Sequence, residues 1–330
     1  MPQSVVEYWQ LLSQIPVFEP GLLLLLMVLL AQYAPLPQQY QPWSLLRLFA
    51  QRVEQKVNKP KDSPAQRRLA GTLALLVVVL PLLTLAWTLR QLSEWPAVFD
   101  AVLLYLCLDH RPYQQRVSAV NSSLQRQQYQ LAKDQLQPML RRDCGQLSPT
   151  GLSKASIEVL AQRQVRHFSA ILMWYLLGGA MLALCYRIVL ELQQVWSDKI
   201  VAQRPFSTAV SRSGRLLTVP ALWLQGLLIA LMYRFGQTVR SFQRSEGAGL
   251  PKADRWHLAA WSAALQRNLA GPVMYQSQKL RRERIGPVEN PQLADVQRAL
   301  RVHSQLYWAL FILLTCGFAL TLLYQWPQHL

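Results

Sequence analysis

Between Arg141 and Arg187 the chain sets two carboxylates, Asp143 and Glu158, among arginines and ahead of a long apolar run. Carboxylates so placed could hold a hard cation such as Mg²⁺ or take a proton, and each could equally pair with a neighbouring arginine and brace its loop. Other familiar chemistries find no matching spacing. The five histidines are scattered without an H-E-x-x-H pair, and the four cysteines include no C-x-x-C. Neither a metal centre nor a disulfide framework is expected. Phosphate-cradling G-x-x-x-x-G-K-[ST] and nucleophile-bearing G-x-S-x-G motifs are also absent. One further cluster, Lys279, Arg281, Arg282 and Arg284, is dense enough to hold a phosphorylated ligand, although a solvated face beside lipid headgroups is the plainer reading.

The elements that must position these residues are membrane helices. About half the residues are apolar, yet the formal charge is +17, and both facts are reconciled by distribution. All 34 Lys and Arg lie between Arg47 and Arg301, mostly in segments separating long apolar runs. Crossing about 30 Å of hydrocarbon takes about 20 helical residues. Uncharged runs at Leu69 to Leu89, Phe168 to Tyr186, Leu216 to Tyr233 and Leu306 to Trp326 meet that length, and residues 17–34 form another span. Trp95 to Leu108 is shorter, and either returns through the membrane or dips into it. The chain therefore reads as one all-α, multi-pass membrane domain over residues 1–330, with about five to six membrane segments.

Charge sets the expected orientation. The segments Pro35 to Arg68, Asp109 to His167 and Arg234 to Gln305 carry seven, nine and twelve Lys or Arg against two, four and five acids, so all three should be cytoplasmic. Both termini, which lack Lys and Arg, should then be periplasmic in a bacterial inner membrane. Arg187 to Arg215 is awkward, because this scheme puts it outside with five basic residues unless it folds back into the bundle. Trp87, Trp95, Trp196, Trp308 and Trp326 lie near span ends, where an interfacial aromatic belt belongs. Basic residues spread along the loops suit lipid contact; nucleic acid, which favours one collected basic face, is not an expected partner. Asp100, inside a short apolar segment, is a functional candidate by its position.

The loops read as helices as well. Val117, Val120, Leu124 and Leu131 keep near-helical spacing, and Leu258, Trp261, Leu265 and Leu269 form an apolar stripe closed by Gly271 and Pro272. No strand pattern competes.

Several motifs now combine. Arg142-Asp143, residues 147–158, Trp174, Gly178-Gly179 and Tyr186-Arg187 occur in an order that resembles the CobD/CbiB family, as do Trp256 with Ala259, Ala264 and Leu265, then Leu269, Gly271-Pro272 and Tyr275. Pro220 and residues 293–302 also have counterparts, so the resemblance covers nearly the whole chain. It implies an integral membrane enzyme that joins aminopropanol, or its phosphate, to adenosylcobyric acid through an amide bond, with ATP and Mg²⁺ as cofactors and a corrinoid as substrate. Carried onto this sequence, it makes Asp143 and Glu158 the candidate catalytic residues and Arg142, Arg187, Trp256 and Tyr275 candidate substrate contacts.

Departures from the family pattern fall where chemistry is expected. After Glu158 the family typically has Glu, Asn and Asp where this chain has Gln162, Arg163 and Arg166; Gln193 and Gln194 follow Tyr186 where the family has Asp-Ser; Leu258 replaces a Glu, and Ser213 and Gly214 an acidic pair. An arginine in place of a metal-binding acid removes a ligand and adds a like charge. Losing one preorganised electrostatic group costs about 2.7 to 4 kcal/mol of barrier. Two readings therefore stand: an amide-forming synthase of cobalamin biosynthesis, and a non-catalytic scaffold or regulator similar to AmpE-like proteins, which share the architecture and a comparable Trp-x-x-x-Gly-Gly region.

Overall fold

A computed structural model describes residues 18–59, 61–140, 144–197, 203–275, 278–280 and 282–325. The chain is almost entirely helical, in the order α1 (Phe18–Tyr33), α2 (Trp43–Val57), α3 (Pro64–Leu92), α4 (Pro96–Cys107), α5 (Arg111–Gln125), α6 (Tyr129–Leu136), α7 (Pro149–Gln164), α8 (Ala170–Val195), α9 (Thr208–Met232), α10 (Phe235–Gln243), α11 (Lys252–Leu265) and α12 (Leu293–Gln325). A single π turn, Val165–Ser169, joins α7 to α8. Starts are written in the sequence. Ser63 caps α3 through a reciprocal capping box with Gln66, with Pro64 at its first position, and Ser148 caps α7 ahead of Pro149.

Four helical stretches are long and apolar enough to cross a membrane: Pro64–Leu92, Pro149–Val195, Thr208–Met232 and Leu293–Gln325, with the shorter apolar Phe18–Tyr33 beside them. Leu69, Leu73, Val77, Leu80, Leu85 and Leu89 all face outward along α3, and Ile312, Leu313, Leu320 and Leu323 do so along α12. So extensive an apolar surface belongs against lipid.

The Phe168 to Tyr186 run, expected as one crossing, is not straight. Gly178 (φ −156°, ψ 27°) and Gly179 (φ 69°, ψ −166°) leave helical geometry, and the Arg187 guanidinium lies 2.5 Å from the His167 ring. Twenty residues of straight helix would separate these two by about 30 Å. The chain thus doubles back, forming one arm up to Leu177 and a second from Ala180 to Val195. Length and hydropathy alone could not distinguish a crossing from a hairpin. The glycine dihedrals at residue 179 lie where residues with a side chain pay about 1 to 3 kcal/mol.

Helix α9 lies across this hairpin. Thr218 meets Tyr186 of the second arm at 3.3 Å, and Gln225 donates to Ser169 of the first at 2.7 Å. The intervening seven residues, about 10 Å of helix, match the distance between two packed helices. Trp174 also reaches α9, donating to the Leu217 carbonyl.

Two apolar cores result. One gathers α1 to α4 and both arms around Val28, Leu104, Phe168, Ile171, Ala183 and Val210. The other joins α5, α6, α7 and α11 with the first turns of α12 around Val120, Leu124, Leu160, Trp261 and Val296. Trp196, expected in an aromatic belt, instead lies fully buried and donates to the Ala50 carbonyl. Trp87, Trp95 and Trp308 are exposed, as a belt requires, and Trp326 falls outside the described residues. Asp100 is paired with Arg90 at 2.8 Å across the α3–α4 turn, which accounts for an acid in that segment.

Helix α11 stops at Leu265, earlier than its apolar stripe, because Gln266 adopts a left-handed conformation (φ 57°). Beyond it, strands appear where none were expected. Leu269–Ala270 (β1) pairs with Arg284–Ile285 (β4), and Val273–Tyr275 (β2) with Gln278–Leu280 (β3), all antiparallel. Such short ladders carry too little alternation to register in sequence.

Replacing Gly179 with Val should destabilise the protein by about 1 to 3 kcal/mol through its backbone angles alone. Gly317→Ala, in α12 with open space around it, serves as the control and should be neutral or slightly stabilising. Thermal unfolding of both variants in detergent reads the difference.

Candidate functional site

Polar residues collect at the base of the hairpin, where both cores meet. Asp109, just past α4, donates its backbone N–H to the His167 carbonyl at 3.3 Å, which docks the end of α4 on the first arm. From the second arm, Arg187 enters this junction with no exposed surface. Its Nη2 lies 3.2 Å from Asp109 Oδ2 and 2.7 Å from Glu191 Oε1, and its guanidinium stacks 4.9 Å from the Trp43 ring. Arg47 of α2 reaches the other Glu191 oxygen at 3.1 Å, and Gln41 donates to Asp109 Oδ1 at 3.0 Å. Removing one partner from such a buried arrangement commonly costs about 3 to 5 kcal/mol.

His167 sits between two guanidiniums. Arg187 Nη1 is 2.5 Å from Nδ1, and Arg163 Nη1 is 3.0 Å from Nε2. Arg163 also lies 4.5 Å from the centre of the Tyr113 ring and 3.4 Å from its hydroxyl. Burial pushes the Tyr113 phenol above its ordinary value, against the pull of Arg163.

The second gathering surrounds Glu158 on α7. Its Oε1 accepts the Ala270 N–H at 2.8 Å, and Lys154, one turn earlier, donates to Asn268 at 3.0 Å. Asn268 in turn donates to the carbonyls of Val288 and Glu289. Glu158 and Lys154 therefore tie α7 to the segment leading into β1. Ala270 (φ 59°) and Gly271 (φ 104°) turn the chain directly afterwards. Beside this junction, Pro149, Thr150 and Ser153 face residues 289–293 across a cleft of about 450 Å³.

The candidate residues divide accordingly. Glu158 stands at the α7–β1 junction, and Tyr275 follows in β2, paired in register with Gln278. Arg187 belongs to the hairpin base. Trp256 does neither: its indole donates to the Trp223 carbonyl at 3.1 Å, stacks on Trp223 and meets Phe242 edge-on. Gly226 makes room for it, since a β-carbon there would strike the indole. Arg142, Asp143 and Arg281 lie outside the described residues. Among those described, no three His, Cys, Asp or Glu side chains gather as a metal site. Glu158, with one oxygen on Ala270, does not by itself make a Mg²⁺ site.

Gln162 and Arg166 both approach Asp254 of α11, at 3.4 and 3.9 Å, and Leu258 is buried in the second core. Asp109, His167 and Glu191 escaped the sequence reading. The available signal was ionisable residues at the edges of apolar runs. Nothing in the local pattern marks His110 and His257, both buried. Burial holds His257 down at about 3, with Arg166 adding to the effect, and holds His110 well below the usual imidazole range, assisted by His303 and Arg111. The Trp261 indole N–H points at His257 Nε2 from 3.2 Å, and Gln225 lies 2.7 Å from the same atom.

Comparison with known proteins gives one consistent answer. The family model described as CobD/Cbib protein matches residues 24–303. Cobalamin biosynthesis protein CobD of Stutzerimonas stutzeri is 28% identical over 282 residues, covering 83% of this chain and 88% of its own length. The CobD protein of Chromobacterium violaceum is 27% identical over 258 residues, covering 76% and 80% respectively. Cobalamin biosynthesis protein CbiB of Salmonella choleraesuis is 25% identical over 266 residues, covering 76% and 83%. No solved structure matches.

The buried histidines set a pH dependence. His257 stays neutral in the folded protein down to about pH 3, whereas in the unfolded chain it takes a proton near pH 6.5. Stability should therefore fall as pH drops below about 6.5, by up to 1.36 kcal/mol per pH unit for this residue. At pH 5, His257→Gln should lower the proton uptake on unfolding by about one, read from the slope of stability against pH.

Proposed function

Since the chain belongs to the CobD/CbiB family, we propose that it forms the amide bond between adenosylcobyric acid and aminopropanol or its phosphate in cobalamin biosynthesis. The supporting observation is the reach of the family match. It runs from residue 24 to 303 and takes in α7, the hairpin, α11 and the 269–285 segment, which together carry Glu158, Arg187, Trp256 and Tyr275. ATP and Mg²⁺, when bound, supply activation of the corrinoid carboxylate. In this reading Asp143 and Glu158 are the acids that serve the reaction, and Glu158 also fixes the turn at Ala270 and Gly271. Tyr275 follows that turn in β2, and Arg142 is a substrate contact by family resemblance.

A second reading, a non-catalytic membrane scaffold or regulator of the AmpE-like kind, draws on a specific observation. Arg163 and Arg166 stand where the family usually has Asn and Asp, and Arg166 is already paired with Asp254. One experiment separates the two. A synthase-deficient strain carrying this chain should regain growth that depends on amide formation, and Glu158→Gln should lose it by at least about 100-fold in the purified reaction. Failure of the unaltered chain to complement, with the protein present in the membrane, would favour the scaffold.

The proposed setting is a bacterial inner membrane with both termini periplasmic. The hairpin supports this orientation. In this reading the second arm returns the chain to the side it left and α9 does not cross, in place of the span expected at Leu216 to Tyr233, so that the segments 35–68, 109–167, 187–215 and 234–305 share one face. Those segments hold every Lys and Arg of the sequence except Arg90, as cytoplasmic segments should. On this reading the five basic residues of 187–215 fit a cytoplasmic segment. A tag after Leu330 should be cleaved by protease in spheroplasts while one placed near residue 203 is protected. The reverse pattern would invalidate the orientation.

A further inference from the structure

Among the described residues the hairpin base has more guanidiniums than carboxylates. Arg47, Arg163, Arg166 and Arg187 all lie near enough to His167 to act on it electrostatically. Three carboxylates answer them: Glu191 pairs with Arg47 and Arg187, Asp109 with Arg187, and Asp254 with Arg166. Among the described residues Arg163 has no carboxylate, only the Tyr113 ring and hydroxyl, the Met139 carbonyl and His167. The buried Nε atoms of Arg166 and Arg187 also lack a partner.

His167 sharpens the imbalance. A neutral imidazole carries one N–H and one lone pair, so it can accept from only one of two guanidiniums. The shorter contact, 2.5 Å to Arg187, assigns the lone pair to Nδ1. Nε2 then carries the proton and faces Arg163 Nη1 at 3.0 Å, donor against donor, with the Tyr113 hydroxyl within reach of the same guanidinium. His167 is fully buried, so bulk water does not relieve the conflict. An oxygen bearing negative charge, accepting from both, would.

We propose that Arg163, His167 and Tyr113 form a binding site for an oxyanion of the phosphate class, entered past the half-buried Arg163 and Arg166. Its oxygens take the Nε2–H of His167 and the Arg163 fork, and its charge supplies the counter-ion that Arg163 lacks. This site is separate from the Glu158 junction and does not depend on whether amide synthesis is retained. The oxyanion could belong to a soluble phosphate compound or to an anionic lipid headgroup, since the hairpin base lies where the apolar core gives way to the polar helical layer.

Full-length protein in detergent should be titrated with inorganic phosphate against chloride at constant ionic strength, following its unfolding midpoint. In parallel, protein in nanodiscs of phosphatidylglycerol should be compared with protein in phosphatidylcholine. A saturable rise with phosphate identifies a soluble oxyanion, and a rise with phosphatidylglycerol alone identifies a headgroup. Arg163→Gln should weaken the response about 10- to 100-fold, while Arg126→Gln, an exposed arginine just past the far end of α5, should leave it intact. Should Arg163→Gln fail to fold, Tyr113→Phe should still lower the affinity several-fold. No saturable response to either probe, or one that both variants leave unchanged, overturns the proposal.

Discussion

A fully buried guanidinium organises this protein. Arg187 cannot be left without counter-charge in an apolar bundle, and its partners come from four places: Glu191 on its own arm, Asp109 beyond α4, His167 on the opposite arm and the Trp43 ring of α2. Each of those elements is short or bent. Helix α4 has twelve residues, α2 is amphipathic and the arms meet at two glycines. None would hold its position on apolar contact alone as firmly as a long helix does. Their common attachment to one charge fixes the hairpin base, and α9 closes over it through Thr218 and Gln225.

This arrangement explains what could be read in advance. Helical class, membrane character and family were legible, because apolar run length, charge distribution and motif order are carried by many residues at once. The hairpin was not, since Phe168 to Tyr186 has the length and hydropathy of a single crossing. Its two signs were present but read separately: Gly178-Gly179 in mid-run, and five basic residues in the segment that followed. The site was less legible than the fold. Glu158 proved to be tied to Ala270, and Arg187 to the hairpin base, while Trp256 fills space between α9, α10 and α11. Such contacts join residues 33, 78 and 112 positions apart in sequence, which no local pattern records.

Charge also ties α7 and the π turn to α11. Arginines occupy α7 and the π turn after it, and an acid, Asp254, answers from α11 one turn before the buried Leu258. The contact is thereby satisfied without a cation between the helices. It holds α7 against α11 beside the buried Leu258.

The two-glycine turn also governs how the chain can enter a membrane. Threading the second arm alone would carry Arg187 and Glu191 across the hydrocarbon, at about 2.5 to 3.5 kcal/mol for each such charge at the centre of an inserting helix. A hairpin that enters tip first avoids this, because the turn at Gly178-Gly179 leads with Leu176, Leu177 and Leu182 while both ends stay behind. Arg187 then meets Asp109 and Glu191 without having crossed the hydrocarbon. Insertion of the two arms should accordingly be a single concerted event, with the charged base acting as the stop that sets its depth.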